Sequence, residues 1–398
     1  MRNLILFDTQ EQHENMLPLS YTRPVSHFRI GIMTIEEKWK VRLGIDSVGV
    51  LVPEYLTAKF PCSFSEENLF VDSSVLPDCQ LVDAVLSLKS GESLVKEGGL
   101  IAACAPHEDF ASRRFGRNIE YEGSLRRLRY IYDVFLENGA EIESDYRLIT
   151  SGRDSQPLPE GNMLIGGDCA SRSGRIFIEP GAVIRGGAVF NVEEGPIYIG
   201  VDSEVMERAL VRGPFALGSH AKVNMGTKIY PGTTVGIWSK VGGELNNAVI
   251  FGYSNKSHDG FLGNAVVGEW CNIGAGVNAS NLKNDYSKIR LWNYPRRSFL
   301  RTGLQFCGLI MGDHSKIGVN CMLNTATTIG VGVNFHGAGF PRPFVPSFLE
   351  GSCQGFKDVP LERFFSIAAV AMSRRGVELT EADRDMFRHI DTLARRYK

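Results

Sequence analysis

One spacing dominates the second half of the chain. Ile199, Val205, Val211, Leu217, Val223, Ile229, Val235 and Val241 follow one another six residues apart without a slip. With 43% apolar residues, eight hits in one fixed phase arise by chance roughly once in a thousand. Glycine follows the apolar residue at Gly200, Gly218, Gly236 and Gly242, the first three of them eighteen apart, which is one triangular coil of three hexads. The pattern predicts a left-handed parallel β-helix of hexapeptide repeats over about residues 164–345. One inward aliphatic residue per short strand fills the interior, and glycine allows the unusual φ of a corner. Coils pair strand over strand, so stability comes from stacking.

The phase breaks after Val241 and resumes at Phe261, Val267 and Ile273, then breaks after Ala279 and resumes at Met311, Ile317, Leu323, Ile329 and Phe335. A phase change implies extra residues, so two projecting loops are expected, at about 243–260 and 280–308. Loops on a rigid scaffold are where function concentrates.

A different pattern precedes the repeats. NLILF, SVGVLV, ENLFVD and GGLIAA read as short buried strands, and MTIEEKWKVRLG, PDCQLVDAVLSL and SLRRLRYIYDVFLEN as helices. The alternation predicts an open α/β sheet over residues 1–150. Residues 151–163 are rich in turn formers and read as a linker. After the repeats, residues 346–398 read as a helical cap over the open rim, LERFFSIAAVAMSRRG forming one helix and Thr380 with Asp383 capping a last one.

Composition narrows the classes. A net charge of −2 gives no support to nucleic-acid binding or to a membrane surface. No run of 18 apolar residues is present, and the N-terminus reads as a strand rather than a signal peptide. The eight cysteines, Cys169 among them, include no CxxC pair, as expected of reduced thiols in a cytoplasmic protein.

Candidate chemistry falls in the two phase breaks. The first carries Asn246, Asn255, Lys256, His258 and Asp259. An exposed imidazole such as His258 is a general base near neutral pH, or else it bonds the loop to itself. The second carries six cations (Lys283, Lys288, Arg290, Arg296, Arg297, Arg301) with Tyr286, Trp292 and Tyr294. These either hold phosphates and stack on an adenine ring, or form a solvated loop whose aromatics pack on a neighbouring subunit. No glycine-rich phosphate loop follows the first strand; Arg23, Arg29 and Lys38 are the nearby cations that an anionic ligand would use.

The segments MLPLSYTRPVSHFRIGIMTIEEKW, GPIYIG, VRGPFALGSHAKVNMGTKIYPGTTVG and VIFGYSNKSHDGFLGNAVVGEWCNIGAG carry a resemblance. Over residues 1–345 the chain resembles the GlmU-like sugar nucleotidyltransferase family. The resemblance implies two activities: an N-terminal sheet joining a nucleoside triphosphate to a sugar phosphate with Mg²⁺, and a trimeric β-helix acetylating a sugar amine from acetyl-CoA. It places the catalytic histidine at His258, acceptor contacts at Lys228, Asn246, Lys256, Phe261, Asn272 and Asn281, and an acetyl-CoA contact at Ala275. Phe261 stands where the family has a tyrosine, Asn246 where it has a lysine, and the loop around His258 is one residue shorter. The glycine-rich signature is replaced by LFDTQEQHENMLPL, and Ser74 stands at the family's metal-binding aspartate, with Asp72, the candidate metal residue, two residues earlier. Arg23 is placed to substitute for the missing phosphate-binding cation.

Three functions follow as expectations. The first is acyl transfer to a sugar phosphate or nucleotide-sugar by a homotrimeric β-helix, and the second is synthesis of a UDP- or dTDP-sugar by residues 1–150. The third is nucleotide-sugar sensing without turnover.

Overall fold

The computed structural model describes residues 3–167 and 175–398; Cys169 lies outside them. Its residues fall into two compact units. One comprises Met1–Met16, Thr22–Phe28 and Met33–Asp133, and the other Leu17–Tyr21, Arg29–Ile32 and Val134–Lys398.

The first unit is built on a six-stranded sheet. Its order is Gly49–Leu51, Asn3–Phe7, Asn68–Asp72, Gly99–Ala105, Glu92–Lys96, Arg117–Glu120. The first three strands are parallel, with Ile5 opposite both Gly49 and Phe70. Ile5, Phe7, Phe70, Ala103 and Phe110 form a core on the sheet. The chain leaves Asn3–Phe7, returns on one side at Gly49–Leu51 and crosses to the other at Asn68–Asp72. The carboxyl ends of Asn3–Phe7 and Asn68–Asp72 therefore flank a topological switch point, where open α/β sheets bind ligands.

The expected helices at Ile35–Leu43 and Cys79–Leu86 are present. The third is displaced: it spans Asp133–Thr150, and its N-terminal approach is irregular. Residues 126–128 instead run beside 74–76, with Leu76 N donating to Arg126 O and Leu128 N to Ser74 O. Leu128 is buried there, so its apolarity reports this contact and not a helical face.

The second unit stacks short parallel strands in columns. Ile199, Leu217 and Val235 pair in one column, and Val205, Val223 and Val241 in the next. All eight residues of the regular run are at most 3% exposed and share one continuous core. The parallel β-helix of hexapeptide repeats is as the spacing predicts.

The corners differ in detail. A β-carbon on Gly236 would run into the carbonyl oxygen of Phe251, so glycine serves close coil-to-coil approach. The positive φ of that corner belongs instead to His220 (59°), Trp238 (59°), Tyr253 (62°), Trp270 (61°) and His314 (58°). Stacking of His220 on Trp238 (4.3 Å) and of Tyr253 on Trp270 (4.2 Å) offsets the cost of that conformation.

Residues 243–260 do not project. Leu245 pairs with Leu262, Ile250 with Val267, and Val241 with Lys256, so the first phase break is a coil with shortened turns. Leu262, not Phe261, is the inward residue. The second break is a true insertion: Val267 pairs with Met311, and the residues between include the antiparallel hairpin Arg290–Asn293/Ser298–Arg301.

The rim is closed by another hairpin, Leu349–Ser352/Gly355–Asp358, whose Phe356 stacks on Phe335. The C-terminal helices, Leu361–Ser373 and Glu381–Ala394, lie on the flank and not over the rim. Phe364 and Phe387 pack on His314, and Arg375 sits over Trp238 several coils earlier. Thr380 and Asp383 do form the expected capping box. No helix among the described residues is long and apolar enough to cross a membrane.

Candidate active site on the coils and ligand site on the sheet

The loop bearing His258 is held by its backbone. Three successive carbonyls accept hydrogen bonds: Ser257 O from Asn224 Nδ2 (2.8 Å), His258 O from Lys256 Nζ (2.7 Å), and Asp259 O from Gly276 N (3.0 Å). Gly242 leaves room for this, because a β-carbon there would strike Ser257 O. The His258 and Asp259 side chains are exposed, and His258 makes no side-chain bond to any described residue. The imidazole thus stands on a fixed backbone and faces solvent, and Asp259 is not bonded to it.

Lys256 departs from its expected acceptor contact. It occupies an inward position opposite Val241, is 2% exposed, and donates to Gly242 O (3.0 Å) as well as to His258 O. Burial lowers its ammonium to about 8, against a partial opposing effect of Asp259.

The other expected residues divide between two faces. Lys228, Glu244 and Phe261 are register neighbours in one column, and Asn246 lies opposite Gly263 in the same sheet. The Phe261 ring and the Asn281 amide meet over Gly263, and Asn281 Nδ2 donates to Asn264 Oδ1 (2.8 Å). Asn272 belongs to the column of Lys240, Asn255 and Lys316, on the next face. His258 follows Asn255–Lys256 and precedes Phe261–Val267, so it sits at the corner where the two faces meet. Ala275 accepts from Asn320 N (2.7 Å) through its carbonyl. Asn224 and Glu244 escape a sequence reading because only coil register brings them here.

The inserted hairpin uses its aromatics internally. Trp292 stacks on Phe344 (4.2 Å), and Tyr294 meets Phe344 and Tyr21 edge-on. Tyr294 is buried, whereas Trp292 is half-buried with one face on Phe344. Arg290, Arg296, Arg297 and Arg301 are exposed.

On the first unit's sheet, Asp72 ends its strand 1% exposed. One carboxylate oxygen accepts from Ser74 N (2.8 Å) and Ser74 Oγ (2.7 Å), the other from Gln12 Nε2 (2.5 Å) and Arg127 Nη2 (2.8 Å). Burial still pushes its pKa up; Arg127, Ser74 and Gln12 oppose this. With both oxygens occupied and a guanidinium already in place, these residues do not fit Mg²⁺, which needs free carboxylate oxygen. No cluster of three or more His, Cys, Asp or Glu side chains suited to a metal exists among the described residues. Asp72, the expected metal ligand, is thus held by Ser74, Gln12 and Arg127.

Beside it, Asp8 accepts from Val25 N (3.1 Å) and bonds His13 Nδ1 (2.8 Å), whose Nε2 reaches Tyr55 Oη (3.1 Å). Thr9 caps the helix Gln10–Asn15, taking the place of a glycine loop. Arg23 and Lys38 are 6% and 1% exposed, so neither is offered to solvent as a phosphate cation. Arg29 belongs to the second unit, where its guanidinium donates to Ile32 O. Arg113 is the exposed cation near Asp72, lying over Phe7 (5.5 Å) and Phe110 (4.8 Å).

Residues 4–154 match the family described as sugar nucleotidyl transferase. The chain is similar to the bifunctional protein GlmU of Micrococcus luteus, 28% identical over 179 residues, which cover 42% of this chain and 31% of the relative. It is also similar to the bifunctional protein GlmU of Gloeobacter violaceus, 33% identical over 137 residues, covering 34% and 25%. The matched regions thus span about a third or less of these relatives' length. Among solved structures, a Francisella novicida UDP-N-acetylglucosamine acyltransferase overlaps 61% of this chain and 76% of its own, at 13% identity and a TM-score of 0.29. That likeness carries no weight for fold or function. The resemblance to the GlmU-like family rests on the curated relatives and the family match, which bear it out.

Proposed function

We propose that this chain is a transferase of sugar-nucleotide metabolism whose β-helix transfers an acyl group from acetyl-CoA to a sugar phosphate or nucleotide-sugar. The observation that carries this reading is the His258 corner: an exposed imidazole on a loop whose three carbonyls are each tied to the scaffold. His258 takes the proton from the acceptor amine or hydroxyl as that atom attacks the thioester carbonyl, and the CoA thiolate leaves. In this reading Lys228, Glu244 and Asn246 on one face and Asn272 on the other orient the acceptor, and their register beside the His258 corner supports this. Phe261 in a tyrosine's place favours an acceptor other than glucosamine phosphate.

The active assembly in this reading is a homotrimer with sites between subunits. Thiol release from acetyl-CoA with a panel of amino-sugar phosphates and nucleotide-sugars tests the chemistry. Equal rates for wild type and His258→Ala would rule out the base. A monomer by light scattering would count against the intersubunit site.

The family match over residues 4–154 supports a second activity, nucleotidyl transfer by the first unit. Pyrophosphate release from UTP or dTTP with hexose 1-phosphates is its assay, and no activity with any pair at any Mg²⁺ level would sink it. The occupied Asp72 carboxylate favours a ligand held there by Arg127 and Arg113 without a metal. Tight nucleotide-sugar binding without turnover in either assay is the outcome that a sensing role predicts.

A further inference from the structure

A cleft of about 470 Å³ lies between the coil face carrying Asn255 and Asn272 and the helix Leu361–Ser373. Lys240 and Lys316 line it from the coils, Arg374 and Arg375 from the end of the helix. No carboxylate stands among the described residues that line it. None of the four cations forms an ion pair with a described residue. Glu204, the acid whose field reaches Lys240, is already bridged by Arg185 (3.0 Å) and Lys222 (2.7 Å). Lys316 Nζ is fixed on His314 O (3.3 Å), and Arg375 rests over Trp238 (5.9 Å).

Among these cations, Lys240 is repelled by Arg374 and Arg375. The Lys240 ammonium is held below its ordinary range by burial, and then by the neighbouring charges of Arg375, Lys222 and Arg374. An uncompensated cluster costs the fold stability, and an anion entering the cleft relieves it. Two guanidinium groups and two ammonium groups suit the several oxygens of a phosphorylated group. The walls add apolar surface: the stacked Tyr253 and Trp270 on one side, Ile367 and Val370 on the other. The volume is that of a site for a nucleotide-sized molecule.

We propose that this cleft binds the diphosphate group of a phosphorylated organic ligand, through Lys240, Lys316, Arg374 and Arg375. The site shares Asn272 with the acyl-transfer reading but does not rest on it, since it requires only binding.

The test is a thermal-shift and calorimetric titration of the full chain with inorganic pyrophosphate. Pyrophosphate should raise the melting temperature of wild type, less so at high salt. Arg374→Ala/Arg375→Ala should weaken binding by roughly tenfold or more, a change of 1.4 kcal/mol per decade. Arg375→Glu, which supplies the missing counter-charge, should melt at or above the wild-type temperature without ligand and abolish the pyrophosphate shift. ADP should bind more tightly than pyrophosphate, and orthophosphate more weakly. His258→Ala should bind as wild type does, so failure of acyl transfer leaves this site standing. No wild-type shift at millimolar pyrophosphate would overturn the proposal, as would an undiminished shift in the double variant. Orthophosphate binding as tightly as pyrophosphate would overturn the diphosphate assignment.

Discussion

The Lys256 ammonium reaches the carbonyl oxygen of His258 from inside the coil, at 2.7 Å. Lys256 stands where a hexad expects an aliphatic residue, opposite Val241. It joins the scaffold's interior to the backbone of the candidate base. A lysine within the repeat's core is a costly choice, and a hydrophobic replacement of a buried charge is often neutral or stabilising. Lys256→Met should therefore melt at or near the wild-type temperature while acyl transfer falls by roughly tenfold or more, because the His258 loop loses one of its three anchors. Unchanged kcat in a folded Lys256→Met would show that the anchor is structural only.

The same lysine sets a pH dependence. Its folded pKa is about 8 against 10.5 for the ordinary side chain. Between those values the unfolded chain binds the proton and the folded chain has released it, so this residue's contribution to stability rises with pH across that window. Below about pH 8 both states are protonated and the cost of burial is fully present. Denaturant titrations from pH 7.5 to 10.5 should show wild type gaining on Lys256→Met; parallel curves would mean that the lysine is not desolvated.

His258→Ala should leave the fold intact, since the side chain is exposed and has no partner among the described residues. Its expected signature is a fall in kcat of ~10²–10⁴-fold with circular dichroism and melting unchanged. A coincident loss of melting temperature would instead assign the ring a structural role.

At the end of strand Asn68–Asp72, Arg127→Met removes the only guanidinium that bonds Asp72 among the described residues. Breaking such a buried pair costs about 3–5 kcal/mol. In the intact protein, nucleotide-sugar binding by the first unit should be the same in EDTA as in Mg²⁺. Binding that requires the metal would show that Arg127 yields its place.

Gly236→Ala and Gly186→Ala differ only in what a β-carbon meets. At Gly236 it meets the Phe251 carbonyl, while at Gly186 it meets nothing within 4 Å. The first should destabilise by roughly 1–3 kcal/mol or more, and the second should change stability by at most about 0.5 kcal/mol. Equal melting temperatures would refute the close-approach role of the corner glycines.

Much of this was legible before any coordinates. A period of six needs no tertiary information, because each inward residue is defined by its own strand. The resemblance located the His258 loop, and the turn chemistry of Thr380 and Asp383 located the last helix. The failures share one cause. A phase shift marks a change in coil length without giving its sign, so residues 243–260 read as an insertion when they are a shortened coil. An apolar–basic run such as LRRLRY reads as a helix until Leu128 is seen to be buried beside Ser74.

The sequence by itself determined the repeat, its inward residues and the element types of the N-terminal sheet, since these follow from local periodicity and turn residues. Only the tertiary structure decided which long side chains face water. Lys256, Arg23 and Lys38 are cations that a sequence offers to any ligand, yet packing buries all three. Lys240, Lys316, Arg374 and Arg375, scattered over more than a hundred residues, share one cleft because coil stacking and a helix on the flank bring distant charges together.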